Sequence, residues 1–448
     1  MNKNKYEIDM CNGSIMDKLI SFALPLMLSG ILQLMFNAVD IIVVGHFSSS
    51  QALAAVGSTT ALINVFVNLF IGVSLGTNVL AARCYAAGKD KEMSEVVHTS
   101  ILFALISGIV MAIIGVLLAK PALQLMQTPA DVIDQSALYM RIYFLGMPFF
   151  MLYNYGAAVL RAVGDTKRPL MYLILLGIVN TLLNLFLVIV FRLAVAGVAI
   201  STIIAQCISC ILILNCLRKS ESSYKLTFSG LSIKWVYLRQ IFQVGIPAGI
   251  QSTVINFSNA LLQSSVNSFG STAMAGYTAA NNILGFLYAS VNAVTQACMS
   301  FTSQNFGVGK YKRVDLVLRD CMILTVGVSL VLGGGAYLFG NEVLRIYTND
   351  SEVVRCGVEI LSITTVPYFL CGIMDLFPGS LRGMGYSTVP MILSVVGTVG
   401  MRIFWIYRVF PFHRSLYVLF ISYPASWTFT IIMQVICFIC VRKIVNRR

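Results

Sequence analysis

Long apolar blocks separated by short polar breaks run almost the whole length of this chain. A helix crossing the hydrocarbon core of a bilayer needs roughly 20 apolar residues. Blocks of that kind fall at 19–45, 52–82, 97–119, 136–160, 169–191, 193–217, 239–265, 272–303, 318–339, 356–380, 389–410 and 415–441. They predict twelve membrane-spanning helices. Only Arg192 and its neighbours separate the fifth block from the sixth, so these two read as a tight helical hairpin. The pattern divides the chain into a tail at 1–18, a first lobe at 19–217, a polar linker at 218–238, a second lobe at 239–441 and a tail at 442–448.

The basic residues test that count. Alternate loops, starting with the N-terminal tail, hold 23 of the 31 Lys and Arg. The intervening loops hold six (Lys120, Arg192, Arg345, Arg355, Arg408 and Arg414), and Arg141 and Arg402 fall inside spans. Cytoplasmic loops carry the excess of Lys and Arg, and one missed span would swap the sides of every later loop. The asymmetry therefore predicts twelve spans with both termini cytoplasmic.

The chain also repeats itself. Leu160-Arg161-Ala162-Val163-Gly164, followed by Pro169, lines up with Leu381-Arg382-Gly383-Met384-Gly385, followed by Pro390, at an offset of 221. Gly88-Lys89 matches Gly309-Lys310 at that offset, and Pro25 matches Pro247 one residue out of step. Six spans lie in each half. An even number preserves direction, so the halves have parallel topology and are expected to be related by a pseudo-two-fold along the membrane normal. The predicted fold is an all-α membrane protein of two six-helix lobes, an architecture that suits alternating access.

Composition agrees. Hydrophobic residues make up 58% of the chain and charged residues 11%, against about 25% charged in soluble domains. The net charge of +13 is accounted for by loops flanking spans, so no nucleic-acid partner is expected. Most of the eleven cysteines sit in apolar stretches, and the three histidines, His46, His98 and His413, are not placed to join them. No metal site is expected, since one would need His or further thiolates nearby. The first eighteen residues are polar and of mixed charge, unlike a signal peptide.

Several motifs resemble those of the multidrug and toxic compound extrusion (MATE) family, and within it the prokaryotic DinF-like branch. They are Ala23-Leu24-Pro25, Asp40 with Val43-Val44-Gly45-His46, the two Leu-Arg-x-x-Gly…Pro segments, and Ser303-Gln304-Asn305-Phe306-Gly307-Val308-Gly309. The resemblance runs from about 20 to 441. It implies a monomeric antiporter of the bacterial cytoplasmic membrane. Such a protein expels amphipathic, often cationic compounds in exchange for H⁺ or Na⁺, without a cofactor. A flippase for a lipid-linked intermediate is the alternative; relatives of that kind usually carry a strongly cationic cavity, and here the intramembrane bases are few, Arg141 and Arg402. A membrane enzyme would need a cluster of His, Asp or Ser, and none is visible.

An ionised side chain mid-membrane costs roughly 2.5–3.5 kcal/mol on insertion scales, which makes it a functional candidate. Nine of the ten acids in the first half lie in the tail or loops; Asp40 sits in the apolar run from Leu34 to Val44. Gln33, Asn37 and Asp40 fall at i, i+4 and i+7, on one predicted face. Two readings stand: a coupling carboxylate, or an acid solvated near the outer interface beside His46. Asn180 and Asn184 are one turn apart on helix five, Asn154 lies mid-helix four, and Thr202 is on helix six. Amides and hydroxyls both donate and accept, so they can follow a carboxylate through protonation; alternatively they tie helices together. The resemblance implies a polar network of Asp40, Asn180 and Thr202. It also marks Asn184 as a departure, because some members have a carboxylate there.

The second half keeps a polar stripe, including Asn256 and Asn259, but has Leu262 where the repeat places Asp40. Asp375 is the one buried acid expected there, with Arg402 as its expected ion-pair partner or Asp375 itself functional. Flat rings and flexible Met suit a pocket for aromatic cations. Met35, Phe36, Tyr139, Phe150, Tyr153, Tyr277 and Tyr288 are the substrate-contact candidates, with Gln33, Asn37, Asn256 and Asn259. Pro25 lies inside the first helix, where a bend either couples protonation to cavity shape or is a static kink.

Overall fold

In the computed structural model of the chain, residues 6–446 are described. Every element among them is a helix, with no strand. Lys3, Lys5, Arg447 and Arg448, which enter the count of basic residues, lie outside them.

Twelve long helical segments follow one another. They are α1 (Ile15–Phe47), α2 (Ser50–Ala86), α3 (Asp90–Leu125), α4 (Ile133–Leu145 and Met147–Ala162), α5 (Lys167–Val190), α6 (Ala194–Lys219), α7 (Trp235–Asn267), α8 (Ser271–Gly307), α9 (Tyr311–Leu338), α10 (Ser351–Thr364 and Tyr368–Gly383), α11 (Thr388–Phe412) and α12 (Leu416–Asn446). Among the described residues nine of these are long and apolar enough to cross a membrane, and eleven qualify when each bent pair counts as one span. The protein is a multi-pass membrane protein. The twelfth predicted span is α7, which is 33 residues long. Its stripe of Ser252, Asn256, Asn259 and Gln263 dilutes its hydropathy, although its apolar block stands out at 239–265.

The order of elements shows the repeat directly. Helices α1 and α7 have 33 residues each, and α2 and α8 have 37 each. Helix α4 bends by 46° and α10 by 51°. Pro148 opens the second half of α4, and Pro367 caps the second half of α10. Proline has no N–H to give to a preceding turn and is tolerated at a helix start, so each span breaks there. Helices α5 and α11 both contain π-helical turns, at Phe186–Val190 in α5 and at Val395–Gly400 and Trp405–Val409 in α11.

By spatial proximity the chain forms two compact units. One comprises residues through Ile8 with Ile31–Gly245, the other Asp9–Gly30 with Ile246–Arg448. The first has small and hydroxylated residues inside: Ser58 and Ser136 share a hydrogen bond of 2.9 Å, Thr77 and Ser100 one of 3.1 Å, and Asn78 Nδ2 donates to the Ala158 carbonyl at 3.1 Å. The second is aromatic at its centre, with Tyr368 edge-on to Trp427 at 5.6 Å and Phe420 stacked on Tyr423 at 5.9 Å. Large aliphatic side chains such as Leu117, Leu125, Val331 and Leu338 point outward. That distribution suits a chain whose solvent is hydrocarbon, where small residues let helices approach and polar ones tie them together.

The repeated glycine motifs have a backbone cause. Gly88, Gly164, Gly309 and Gly385 all adopt positive φ, between 66° and 93°. Each closes a helix C-terminus with the same pair of bonds: Asp165 N–H donates to Leu160 O (2.9 Å) and Gly164 N–H to Arg161 O (3.1 Å), just as Tyr386 donates to Leu381 (2.9 Å) and Gly385 to Arg382 (2.8 Å). This is the Schellman end, which needs a left-handed residue. A Cβ on Gly164 would also meet the Ile8 backbone at 2.6 Å, whereas one on Gly88 meets nothing within 4 Å. Gly88→Ala is therefore expected to cost only the left-handed strain, about 1–2 kcal/mol. Gly164→Ala adds a backbone clash of about 1–3 kcal/mol. Thermal unfolding of the two variants in detergent checks the order; equal losses would contradict it.

Candidate functional site

The first unit gathers polar side chains from α1, α5 and α6. Helix α1 lies on α5 because Gly177 leaves room for the Phe36 ring, which a side chain at 177 would strike. Asp40 is one turn beyond Phe36, and Asn180 and Asn184 are one and two turns beyond Gly177. The same contact that seats Phe36 thus turns the Asp40 carboxyl toward the two amides. Helix α6 returns beside α5 through a tight turn in which Arg192 and Ala194 both take positive φ, the hairpin expected between the fifth and sixth spans.

Asn184 is the hub. It is fully buried. Its Nδ2 donates to Asp40 Oδ1 and, at 2.9 Å, to Asn180 Oδ1. Its Oδ1 accepts from the Ser201 hydroxyl, which also bonds the Val198 carbonyl at 2.8 Å. Both amide hydrogens and the carbonyl oxygen are therefore used. Tyr139 and Tyr143 of α4 lie within electrostatic reach of Asp40. No Lys or Arg side chain forms an ion pair with Asp40 among the described residues. The carboxylate is served by one amide donor and by no fixed cation, so a mobile cation or a proton can change its state.

The expected residues divide around this site. Asp40, Asn180 and Asn184 come together. Thr202 does not join them: its hydroxyl bonds the Val198 carbonyl one turn back, at 2.9 Å, and Ser201 takes the place expected of it. Asn154 likewise bonds its own helix, donating to Phe150 O at 2.8 Å. The predicted face of Gln33, Asn37 and Asp40 splits, with Asp40 turned to α5 and the other two exposed. Met35 is also exposed, Phe150 packs against the core of the unit, Tyr139 is buried in that core, and the Tyr153 hydroxyl donates to Pro169 O at 3.1 Å. Pro25 lies inside an unbroken α1, its carbonyl accepting from Ser29 Oγ at 2.8 Å.

The second unit overturns the expected ion pair. Arg402 does not meet Asp375. Its Nη1 donates to Asn259 Oδ1 at 2.7 Å, and its guanidinium lies 4.3 Å over the Tyr423 ring. The charge that acts on Asp375 is Arg382, which itself donates to Gln251 Oε1 at 2.7 Å. Tyr277 is buried against Phe420 in the core. Tyr288 and Asn256 are exposed.

Outside the spans, the turn between α4 and α5 holds one more buried acid. Asp165 is paired with Arg168, yet burial outweighs that charge and raises its carboxyl above the ordinary range. Its role is to close the turn, since it also accepts from the Arg168 backbone N–H at 3.1 Å.

The fold is shared with solved structures. A crystal structure of MATE in complex with MaL6 superposes with a TM-score of 0.93 at 19% identity, covering all of both chains. An outward-facing multidrug resistance MATE family transporter of the MOP superfamily superposes at 0.91, with 18% identity and the same coverage. Among curated proteins, the probable multidrug resistance protein YoeA of Bacillus subtilis is 27% identical over 423 residues, covering 92% of this chain and 91% of its own length. The multidrug export protein MepA of Staphylococcus aureus is 23% identical, covering 84% of each. The MatE family model matches twice, at residues 25–186 and 247–407, once in each half of the repeat. With more than two thirds of its length matched in this way, the chain belongs to the MatE family.

Proposed function

We propose that this protein is a secondary active multidrug efflux antiporter, exchanging amphipathic or cationic compounds for protons across the bacterial cytoplasmic membrane. The observation that carries the proposal is the Asp40 carboxyl, held by Asn184 inside a membrane-embedded helix cluster with no fixed counter-charge. Relatives named as multidrug resistance and export proteins support the substrate class. The 23-to-6 asymmetry of basic residues supports an orientation with both termini cytoplasmic.

The polar network favours a proton over Na⁺. A sodium ion needs several oxygen ligands. Asn184 instead turns its N–H edge toward Asp40, and Asn180 Oδ1 already accepts a bond from Asn184. Ionised Asp40 only accepts hydrogen bonds; the protonated acid also donates. Protonation turns a charge-assisted bond to Asn184 into a neutral one of about half the strength, loosening α1 from α5 and α6. In the proposed cycle a proton from outside discharges Asp40 and releases the exported compound, and loss of the proton inward restores the loading state. Pro25, which leaves one backbone carbonyl of α1 without its helical N–H partner, is the place where α1 would bend in response.

The test is ethidium transport in everted vesicles from a pump-deficient bacterium. The expected result is uptake driven by an imposed proton gradient, abolished by an ionophore that collapses it and unchanged by removing Na⁺. Transport of a lipid-linked sugar without ethidium movement would favour a flippase instead. Uptake that needs Na⁺ would overturn the choice of ion.

A further inference from the structure

Each half builds a polar cluster from the same three helices of its plan. In the first half α1, α5 and α6 supply Asp40, Asn180 with Asn184, and Ser201. In the second half the corresponding α7, α11 and α12 supply Asn259, Arg402 and Tyr423. Asn259 stands where the repeat places Asn37, and Leu262 where it places Asp40.

The position of Arg402 in the repeat follows from a backbone detail. Pro169 and Pro390 open α5 and α11 at the offset of 221. From there α5 is α-helical through Leu185, but α11 passes through the π-helical segment Val395–Gly400 before it reaches Arg402. A turn closed by i→i+5 bonds holds one more residue than an α turn. Beyond it the offset is 222, and the counterpart of Asn180 is Arg402.

Arg402 is 3% exposed. Its Nε has no hydrogen-bond partner, and no carboxylate forms an ion pair with it among the described residues. The charge is met by an amide oxygen and by the face of an aromatic ring, the two kinds of group that seat a cation without neutralising it. A guanidinium keeps its charge at every accessible pH.

We propose that Arg402 is a tethered cation: it permanently fills, in the second lobe, the seat that corresponds to the one a mobile coupling cation takes in the first. The second lobe then exchanges no ion, and only the first lobe is discharged and recharged in a cycle. This rests on the reading of Asp40 as the coupling acid, but the seat itself can be tested without transport.

The experiment measures thermal unfolding of the purified full-length protein in nanodiscs. Arg402→Ala empties the seat. The expected result is a melting temperature several degrees lower, recovered saturably by millimolar methylguanidinium, with wild type indifferent to the same additive. Arg402→Lys, which keeps a tethered cation, is expected to melt near wild type, and Arg402→Met, which keeps length without charge, well below it. If Arg402→Ala does not fold, the order of the Lys and Met variants decides. A Met variant as stable as wild type, or an Ala variant that folds and ignores methylguanidinium, overturns the proposal. Neither outcome touches the ethidium assay, so failure here is distinct from failure of the antiport reading.

Discussion

Asp40→Asn is expected to abolish proton-driven efflux while leaving the protein folded. Asparagine has nearly the shape of aspartate, and its oxygen can still accept from Asn184, so the packing of α1 on α5 through Phe36 and Gly177 is kept. What disappears is the only side chain of this cluster that can change charge. Ethidium uptake by everted vesicles under a proton gradient should fall to the level of vesicles without the protein, and its pH dependence should vanish. Binding of ethidium to the purified variant should be weaker than to wild type and no longer vary with pH, because asparagine mimics the discharged acid that releases the compound. Wild-type transport rates in the variant would refute the coupling role. A variant that neither binds nor folds would instead mark Asp40 as structural, and circular dichroism separates the two.

Asn184→Asp is expected to have the second largest effect, a gain of cation dependence. The wild-type amide offers an N–H to Asp40; a carboxylate there offers a second negative charge at hydrogen-bonding distance. Two unit charges 4 Å apart repel by about 4 kcal/mol at an effective dielectric of 20. A cation that bridges them relieves this repulsion, which is worth roughly three decades in its binding at 1.4 kcal/mol each. Ser201 and Asn180 remain in place to add oxygens. Transport by the variant should therefore respond to Na⁺ in the millimolar range where wild type does not. A variant that stays indifferent to Na⁺ across that range would show that Asn184 does not face Asp40 as described.

Much of this was legible in the sequence, for identifiable reasons. Apolar blocks located all twelve spans, α7 among them at 239–265, and the alternation of basic loops supported that count, although the polar stripe of α7 lowers its hydropathy. Asp40, Asn180 and Asn184 were visible because a carboxylate and two amides are conspicuous in apolar runs. Ser201 was not, because the sequence does not reveal the rotational setting of α6 against α5. Neighbouring residues on a helix point about 100° apart, so a small error of phase selects Thr202 instead. Thr202 and Asn154 illustrate a second limit: a short polar side chain can satisfy itself on its own helix backbone, and composition cannot tell that from a bond across the interface. The expected Asp375–Arg402 pair failed for a third reason. The π-helical turn before Arg402 adds a residue and rotates everything after it, and no residue in Val395–Gly400 announces it.

The saturated amide at position 184 also bears on how such a site can evolve. Codons for asparagine and aspartate differ at one base, so this lobe stands a single point mutation from a two-carboxylate site. The hydrogen bonds that hold Asn184 to Asn180 and Ser201 leave the surrounding scaffold ready for either residue. Under the proposed antiport, one base change at position 184 would recast the ion preference of this lobe without rebuilding it.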